Sequence, residues 1–310
     1  MIPIGIVHRG GMTVTRALEL RADDGYRLAA THAVGRGEQF VVVAGATAVP
    51  RRYYRRFAEY AAGRGVDVVT VDYRGIDGSR HGPLHRLDAD LGDWCTRDLG
   101  AAVAWAAARG PTWVVGHSMG GHALGRLPDP GLVRAAYVCG TGAGWAGWMS
   151  RGEALRVRFL WGVVAPVTTR VLGYLPMRAL GMGEDLPLHV YRQWRHWCRF
   201  PRYFFDDPDA AEVTAPFARV AMPIAAAVAT DDAWAPPPSR DAFFSGYPAA
   251  AVERIDLAPA ELGVGSVGHM GYFHADAGRV LWPGILAWLS RHGLRLDADG
   301  REGGTGWPAG

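Results

Sequence analysis

Ser118 stands in the run Gly116-His117-Ser118-Met119-Gly120-Gly121. Before it comes the apolar stretch Thr112-Trp113-Val114-Val115, and after it the helix-like stretch His122-Ala123-Leu124-Gly125-Arg126-Leu127. Strand, Gly-x-Ser-x-Gly, helix is the setting of a nucleophile elbow. The turn holds the serine in a strained backbone conformation with its hydroxyl above the sheet edge. Glycines two before and two after it remove side chains that would collide across the turn. The helix that begins there aims its first amides at a place where negative charge can develop.

A serine hydroxyl is a weak nucleophile. It needs a base, and the base needs a carboxylate to orient it. On such a scaffold the chain order is Ser, then Asp or Glu, then His. Ala229-Thr230-Asp231-Asp232 follows an apolar strand pattern, and Gly265-Ser266-Val267-Gly268-His269-Met270-Gly271 follows the last one. His269, in its glycine-rich loop, is the expected base. His117 is inside the elbow and cannot fold back onto the neighbouring hydroxyl. His122 lies on the elbow helix and His274 one turn past His269, so packing or exposure explains them better. Asp232 is the expected acid, because it lies four residues before the turn at Pro236. Asp231 then reads as a solvated or turn-capping residue. The oxyanion donors should be the backbone amides of Met119 and of Ala46, the latter in the loop Ala44-Gly45-Ala46-Thr47.

These residues need a scaffold. Alternating and continuous apolar runs predict strands at 17–21, 26–30, 40–44, 66–71, 112–115, 135–138, 223–229 and 251–255. Helices are expected at 50–62, 88–109, 239–247 and 277–289. Strands alternating with helices imply a mostly parallel sheet covered on both faces. The interval from Gly142 to about Pro216 breaks this rhythm and holds five of the twelve tryptophans. It is expected to be a cap over the site. The expected organisation is one α/β domain over 1–296 with that insertion, then a disordered Gly-rich tail at 297–310.

Composition narrows the function. The chain has 310 residues, 49% of them hydrophobic, enough for one large core. All 33 basic residues are arginine, and the net charge of +3 gives no argument for nucleic acid. Cys95, Cys139 and Cys198 are odd in number and widely spaced, which suits free thiols in a reducing cytoplasm rather than disulfides or zinc. The N-terminal stretch lacks the apolar core of a signal peptide, and either Met1 or Met12 could start the chain. No metal or cofactor pattern is present.

The motifs Gly45-Ala46, Asp72-Tyr73-Arg74-Gly75, the 116–121 elbow and Gly268-His269 together resemble the α/β-hydrolase superfamily over about 18–289. More narrowly, Tyr54-Arg55-Arg56-Phe57-Ala58, Gly183-Glu184-Asp185-Leu186-Pro187 and Gly268-His269-Met270-Gly271-Tyr272-Phe273 resemble a bacterial hydrolase subgroup, similar in pattern to the monoglyceride-lipase and serine-aminopeptidase group. The resemblance implies the fold, the Ser118–Asp232–His269 triad and the oxyanion hole. Ala44 departs from the superfamily, where many members have His before the Gly.

The expected activity is hydrolysis of a small-molecule ester with an apolar acyl or aryl group. Acyl transfer or thioester cleavage by the same triad is the alternative, and a non-catalytic binding protein a third reading. Between Trp145 and Arg202, nine arginines against three acids give the insertion +6, which leaves −3 for the rest. If 189–199 is a helix, Val190, Trp194 and Trp197 share one side, opposite Arg192, Arg195 and Arg199. Trp145, Trp194 and Trp197 are therefore candidate substrate contacts, and the arginine side a candidate for peripheral contact with anionic lipid.

Overall fold

The computed structural model describes residues 13–297. Both candidate start residues, Met1 and Met12, and the expected tail beyond 297 lie outside the described residues. A hairpin opens the fold, β1 (Thr15–Arg21) and β2 (Arg27–Ala33), turning at Asp24-Gly25. Then come β3 (Phe40–Ala44), α1 (Arg55–Ala62), β4 (Asp67–Val71), α2 (Leu99–Ala107) and β5 (Thr112–His117). After Ser118 follow α3 (Met119–Ala123) and β6 (Val133–Cys139). Between β6 and β9 lie α4 (Arg151–Phe159), α5 (Ala165–Leu172), the two-residue strands β7 (Tyr174–Leu175) and β8 (Leu186–Pro187), α6 (Leu188–Trp197) and α7 (Ala211–Thr214). The chain returns through β9 (Ile224–Ala229), α8 (Pro237–Phe244), β10 (Val252–Leu257) and α9 (Ala275–Arg291).

Eight strands form one sheet in the order β1-β2-β4-β3-β5-β6-β9-β10. From β4 to β10 every pair is parallel, and only β2 runs against its neighbours. Successive side chains point to opposite faces, and both faces are covered. Val42, Val69 and Val114 share one core with α2, α3 and α8. Val41, Val43, Val68 and Val115 share the other with α1 and α9. That is why β3, β4, β5 and β9 are buried throughout and read as continuous apolar runs, while edge strand β10 is only half buried.

Boundaries differ where side-chain chemistry intervenes. The helix expected at 88–109 starts at Leu91 and opens into a π turn at Asp93–Asp98. There Trp94 Nε1 donates to the Arg74 carbonyl at 3.0 Å, and buried Asp98 accepts from the Arg74 amide and guanidinium. The helix expected from residue 50 starts as a 3-10 turn at Arg51–Tyr54, with the Arg51 amide held by Asp72 at 2.6 Å. The three cysteines are buried free thiols, as their spacing implies. Among the described residues no helix is long and apolar enough to cross a membrane.

Candidate active site

A parallel sheet gathers its strand C-termini along one edge, and loops leaving that edge can converge. Ser118 leaves β5, Asp232 leaves β9, and His269 lies in the loop after β10. Ser118 has φ +51° and ψ −108°, a backbone that non-glycine residues rarely adopt. Its neighbours make this possible. A Cβ on Gly120 would stand 2.1 Å from the Ala44 carbonyl oxygen, and one on Gly116 would crowd Val138 at 3.0 Å. The Ser118 amide donates to the Cys139 carbonyl at 2.8 Å, and its own carbonyl accepts from Thr141 Oγ1 at 2.7 Å.

The structure brings Ser118, His269 and Asp232 into one line. His269 Nε2 is 3.0 Å from Ser118 Oγ, and His269 Nδ1 is 2.9 Å from Asp232 Oδ2. The hydroxyl donates to Nε2 when Nδ1–H donates to the carboxylate. Asp232 is only 2% exposed, so its charge needs partners. Its Oδ1 accepts from the Trp234 and Ala235 amides, each at 2.9 Å, and its Oδ2 from the Tyr272 hydroxyl at 3.2 Å. Burial pushes this carboxyl up. The His269 ring and the two amides outweigh burial, so it lies below the ordinary carboxylate range.

Asp231 is not a solvated bystander. It accepts from Ser266 Oγ at 2.6 Å and from the Val267 and Gly268 amides at 3.0 and 2.9 Å. One aspartate of the pair thus faces the histidine ring and the other ties down its loop. Nothing in the sequence assigned that loop to Asp231.

The Ala46 amide is not where the sequence put it. It donates to the Tyr54 hydroxyl at 2.7 Å in a buried contact, so it is occupied rather than open to a substrate oxygen. Gly45 permits this approach, since a Cβ there would be 3.1 Å from the Tyr54 ring. Tyr54 in turn donates to His117 Nδ1 at 3.0 Å, and His117 Nε2–H donates to the His269 carbonyl at 2.8 Å. His117, Tyr54 and Tyr272 carried no sequence signal for these contacts, because each acts through a partner distant in the chain. Met119 is the first residue of α3, so its amide has no intrahelical acceptor. The Thr47 amide, next in the β3 loop, has no acceptor among the described residues.

The three candidate tryptophans separate. Trp197 is buried, its Nε1 donating to Asp207 at 3.1 Å, and it packs on Tyr203 and Phe204. Trp194 is half buried. Its ring lies 4.8 Å from Trp161 and 6.0 Å from Trp234, whose ring is 6.3 Å from His269. That aromatic row reaches the site, and Trp161 and Trp234 were missing from the sequence expectation. Trp145 is half buried and edge-on to Trp148 at 5.6 Å. Arg192, Arg195 and Arg199 are exposed, as expected. Arg192 borders a groove lined by Asp24, Asp88, Asp90 and Asp93 together with Arg74, Arg97 and His189, so acids and cations are mixed there. His122 is packing: it is stacked on Tyr203 at 4.5 Å and donates to the Gly142 carbonyl.

Sheet order, elbow and the Ser–His–Asp line define an α/β hydrolase scaffold. The model of the alpha/beta hydrolase family matches residues 40–281, and the chain belongs to that family. Solved structures agree in fold. The chain is similar to a thermophilic esterase from Thermogutta terrifontis at 17% identity and TM-score 0.57, over 89% of this chain and 99% of that one. Against an esterase from Pyrococcus furiosus the values are 13%, 0.59, 93% and 97%. Against the N-formylmaleamic acid deformylase from Pseudomonas putida S16 they are 19%, 0.54, 87% and 99%. No curated protein matches the sequence.

Two buried histidines generate a pH prediction. Burial pushes His117 down to about 3 and His122 down to about 4, so both are neutral in the fold. An unfolded histidine takes up its proton below about pH 6.5. The unfolded state therefore binds more protons as pH falls, and stability is lost from about pH 6.5 down to those two values. Each histidine should contribute a slope of about 1.4 kcal/mol per pH unit. Urea unfolding between about pH 7 and about pH 5 should show His122→Gln flattening the loss relative to the unsubstituted chain. An unchanged slope would mean that His122 does not titrate in this way.

Proposed function

We propose that the protein is a serine hydrolase of carboxylic esters acting through an acyl-enzyme. The observation that carries this reading is the Ser118–His269–Asp232 line, with contacts of 3.0 and 2.9 Å. Ser118 Oγ attacks the ester carbonyl carbon while its proton passes to His269 Nε2. The carbonyl π pair becomes an oxyanion, held by the Met119 amide and by a second amide of the β3 loop, for which Thr47 replaces Ala46. The oxyanion collapses, the C–O bond to the alcohol breaks, and His269 returns the proton to the leaving oxygen. Water then repeats the sequence on the acyl-enzyme and frees the acid. Asp232 keeps Nδ1 protonated and stabilises the imidazolium.

The insertion acts as the cap. Trp161, Trp194 and Trp234 favour an apolar or aryl group beside His269. Trp161 Nε1 is buried without an acceptor among the described residues, which supports a substrate oxygen there. Interception of the acyl-enzyme by an alcohol or amine instead of water is the second reading, favoured by the same aromatic enclosure. Added nucleophile would then appear in the product.

Ser118→Ala should lower ester turnover by on the order of 10⁴-fold or more, and Asp232→Asn by a similar factor. Asp231→Asn keeps an acceptor for the His269 loop and should cost far less. A steady-state assay of the three variants checks this. Equal, mild losses at both aspartates would remove Asp232 from the acid role.

The tryptophans give a second test. Trp197→Ala should lower stability by roughly 3–5 kcal/mol, because it empties a packed site. Trp194→Ala should instead change the preference among esters of graded chain length, with a smaller loss of stability. A chain-length profile unchanged in Trp194→Ala would place the acyl group elsewhere.

A further inference from the structure

The outward face of the insertion is unlike the rest of the surface. From Arg151 to Leu172 the chain is helical, with α4 and α5 joined by a π turn at Leu160–Val164. Its inner residues Ala154, Val157, Leu160, Trp161 and Ala165 are buried. Its outer residues Leu155, Phe159, Val163, Val167 and Val171 recur every four positions and are 70, 59, 49, 60 and 78% exposed. Leu172 adds to them at 40%. Nine large apolar side chains are this exposed among the described residues, and six of them lie on this one segment.

Spacing keeps them in a stripe. On a regular α-helix a four-residue step drifts by roughly 40° around the axis. The π turn at the centre has a wider, i→i+5 pitch and takes up that drift. A contiguous apolar stripe of this kind on a water-facing helix marks an interaction surface.

The charges on the segment say which kind. Arg151, Arg156, Arg158 and Arg170 are exposed. Its one acid, Glu153, is engaged by Arg156 at 2.6 Å. Arg151, Arg158 and Arg170 have no carboxylate partner among the described residues. A second copy docked through this face would gather two sets of these unpaired cations, and no added acid, into one interface. An apolar stripe flanked by arginine matches the boundary between headgroups and acyl chains of an anionic bilayer. The face also begins beside the active site, since the Arg156 guanidinium lies 5.9 Å from the Trp234 ring centre, next to His269.

We propose that residues 151–172 are a membrane-docking face that lies on anionic lipid, with the Leu155–Val171 stripe immersed and the three unpaired arginines at the headgroups. This goes beyond the chemistry proposed above and does not depend on it. It also moves lipid contact from the arginine side of α6 to the outer side of α4 and α5.

The test is cosedimentation with vesicles of phosphatidylcholine alone and of phosphatidylcholine with about a third phosphatidylglycerol. The protein should bind the second kind. Phe159→Glu with Val167→Glu should weaken that binding by on the order of tenfold or more, with thermal unfolding unchanged, since both side chains are exposed. Arg158→Gln with Arg170→Gln should remove the preference for anionic vesicles over neutral ones. Absence of binding to either vesicle, or binding undiminished in Phe159→Glu/Val167→Glu, would overturn the proposal. So would a dimer in solution that the same pair of substitutions splits, because a second copy would then be the occupant.

Discussion

The backbone of Ser118 is the constraint on which the site depends. A serine at φ +51° costs on the order of 1–3 kcal/mol and persists only because its surroundings leave no alternative. Those surroundings are specific. β5 delivers the chain between β3 and β6, and α3 must start at once because Gly120 is pressed against the Ala44 carbonyl. The Cys139 carbonyl and the Thr141 hydroxyl fix the two sides of the Ser118 peptide. A regular turn at this point would need more room than β3 allows, so the hydroxyl is forced to the sheet edge where the His269 loop arrives.

That loop is held from three directions. Asp231 binds its Ser266, Val267 and Gly268 groups, His117 donates to the His269 carbonyl, and the Tyr53 hydroxyl donates to the Met270 carbonyl. The His117 contact deserves its burial. A neutral ring has one donor and one acceptor, and here Nε2–H reaches His269 while Nδ1 receives Tyr54. Tyr54 then receives the Ala46 amide, so a single chain of hydrogen bonds runs from the β3 loop through the elbow to the His269 loop. Protonating His117 would break it, since a protonated ring has no acceptor for the Tyr54 hydroxyl.

Much of this was legible in the residues. Buried strands β3, β4, β5 and β9 declare themselves as apolar runs because both faces are covered, and the order Ser118, Asp232, His269 follows from where loops leave such a sheet. Contacts made by side chains distant in sequence were not legible. Ala46 looked open because nothing near it announces Tyr54, whose ring reaches back across Gly45. Helical periodicity placed Trp194 and Trp197 on one side of α6, but periodicity gives direction and not depth, and the two differ in depth. The arginine side of α6 was read alone, whereas Arg192 shares a groove with Asp88, Asp90 and Asp93 of the segment leading into α2 and with Arg74 and Arg97. The apolar stripe of α4 and α5 was hidden by Pro166 and by the π turn, which spoil a regular 3.6-residue pattern.

The central claim is that Ser118 is the nucleophile, activated by His269. The most direct measurement is covalent labelling with a fluorophosphonate, followed by mass spectrometry of the peptides. One adduct, on Ser118, formed rapidly in the unsubstituted protein and slowed by orders of magnitude in His269→Ala, is the predicted result. An adduct on another residue, or ester turnover that persists while Ser118 stays unlabelled, would contradict it.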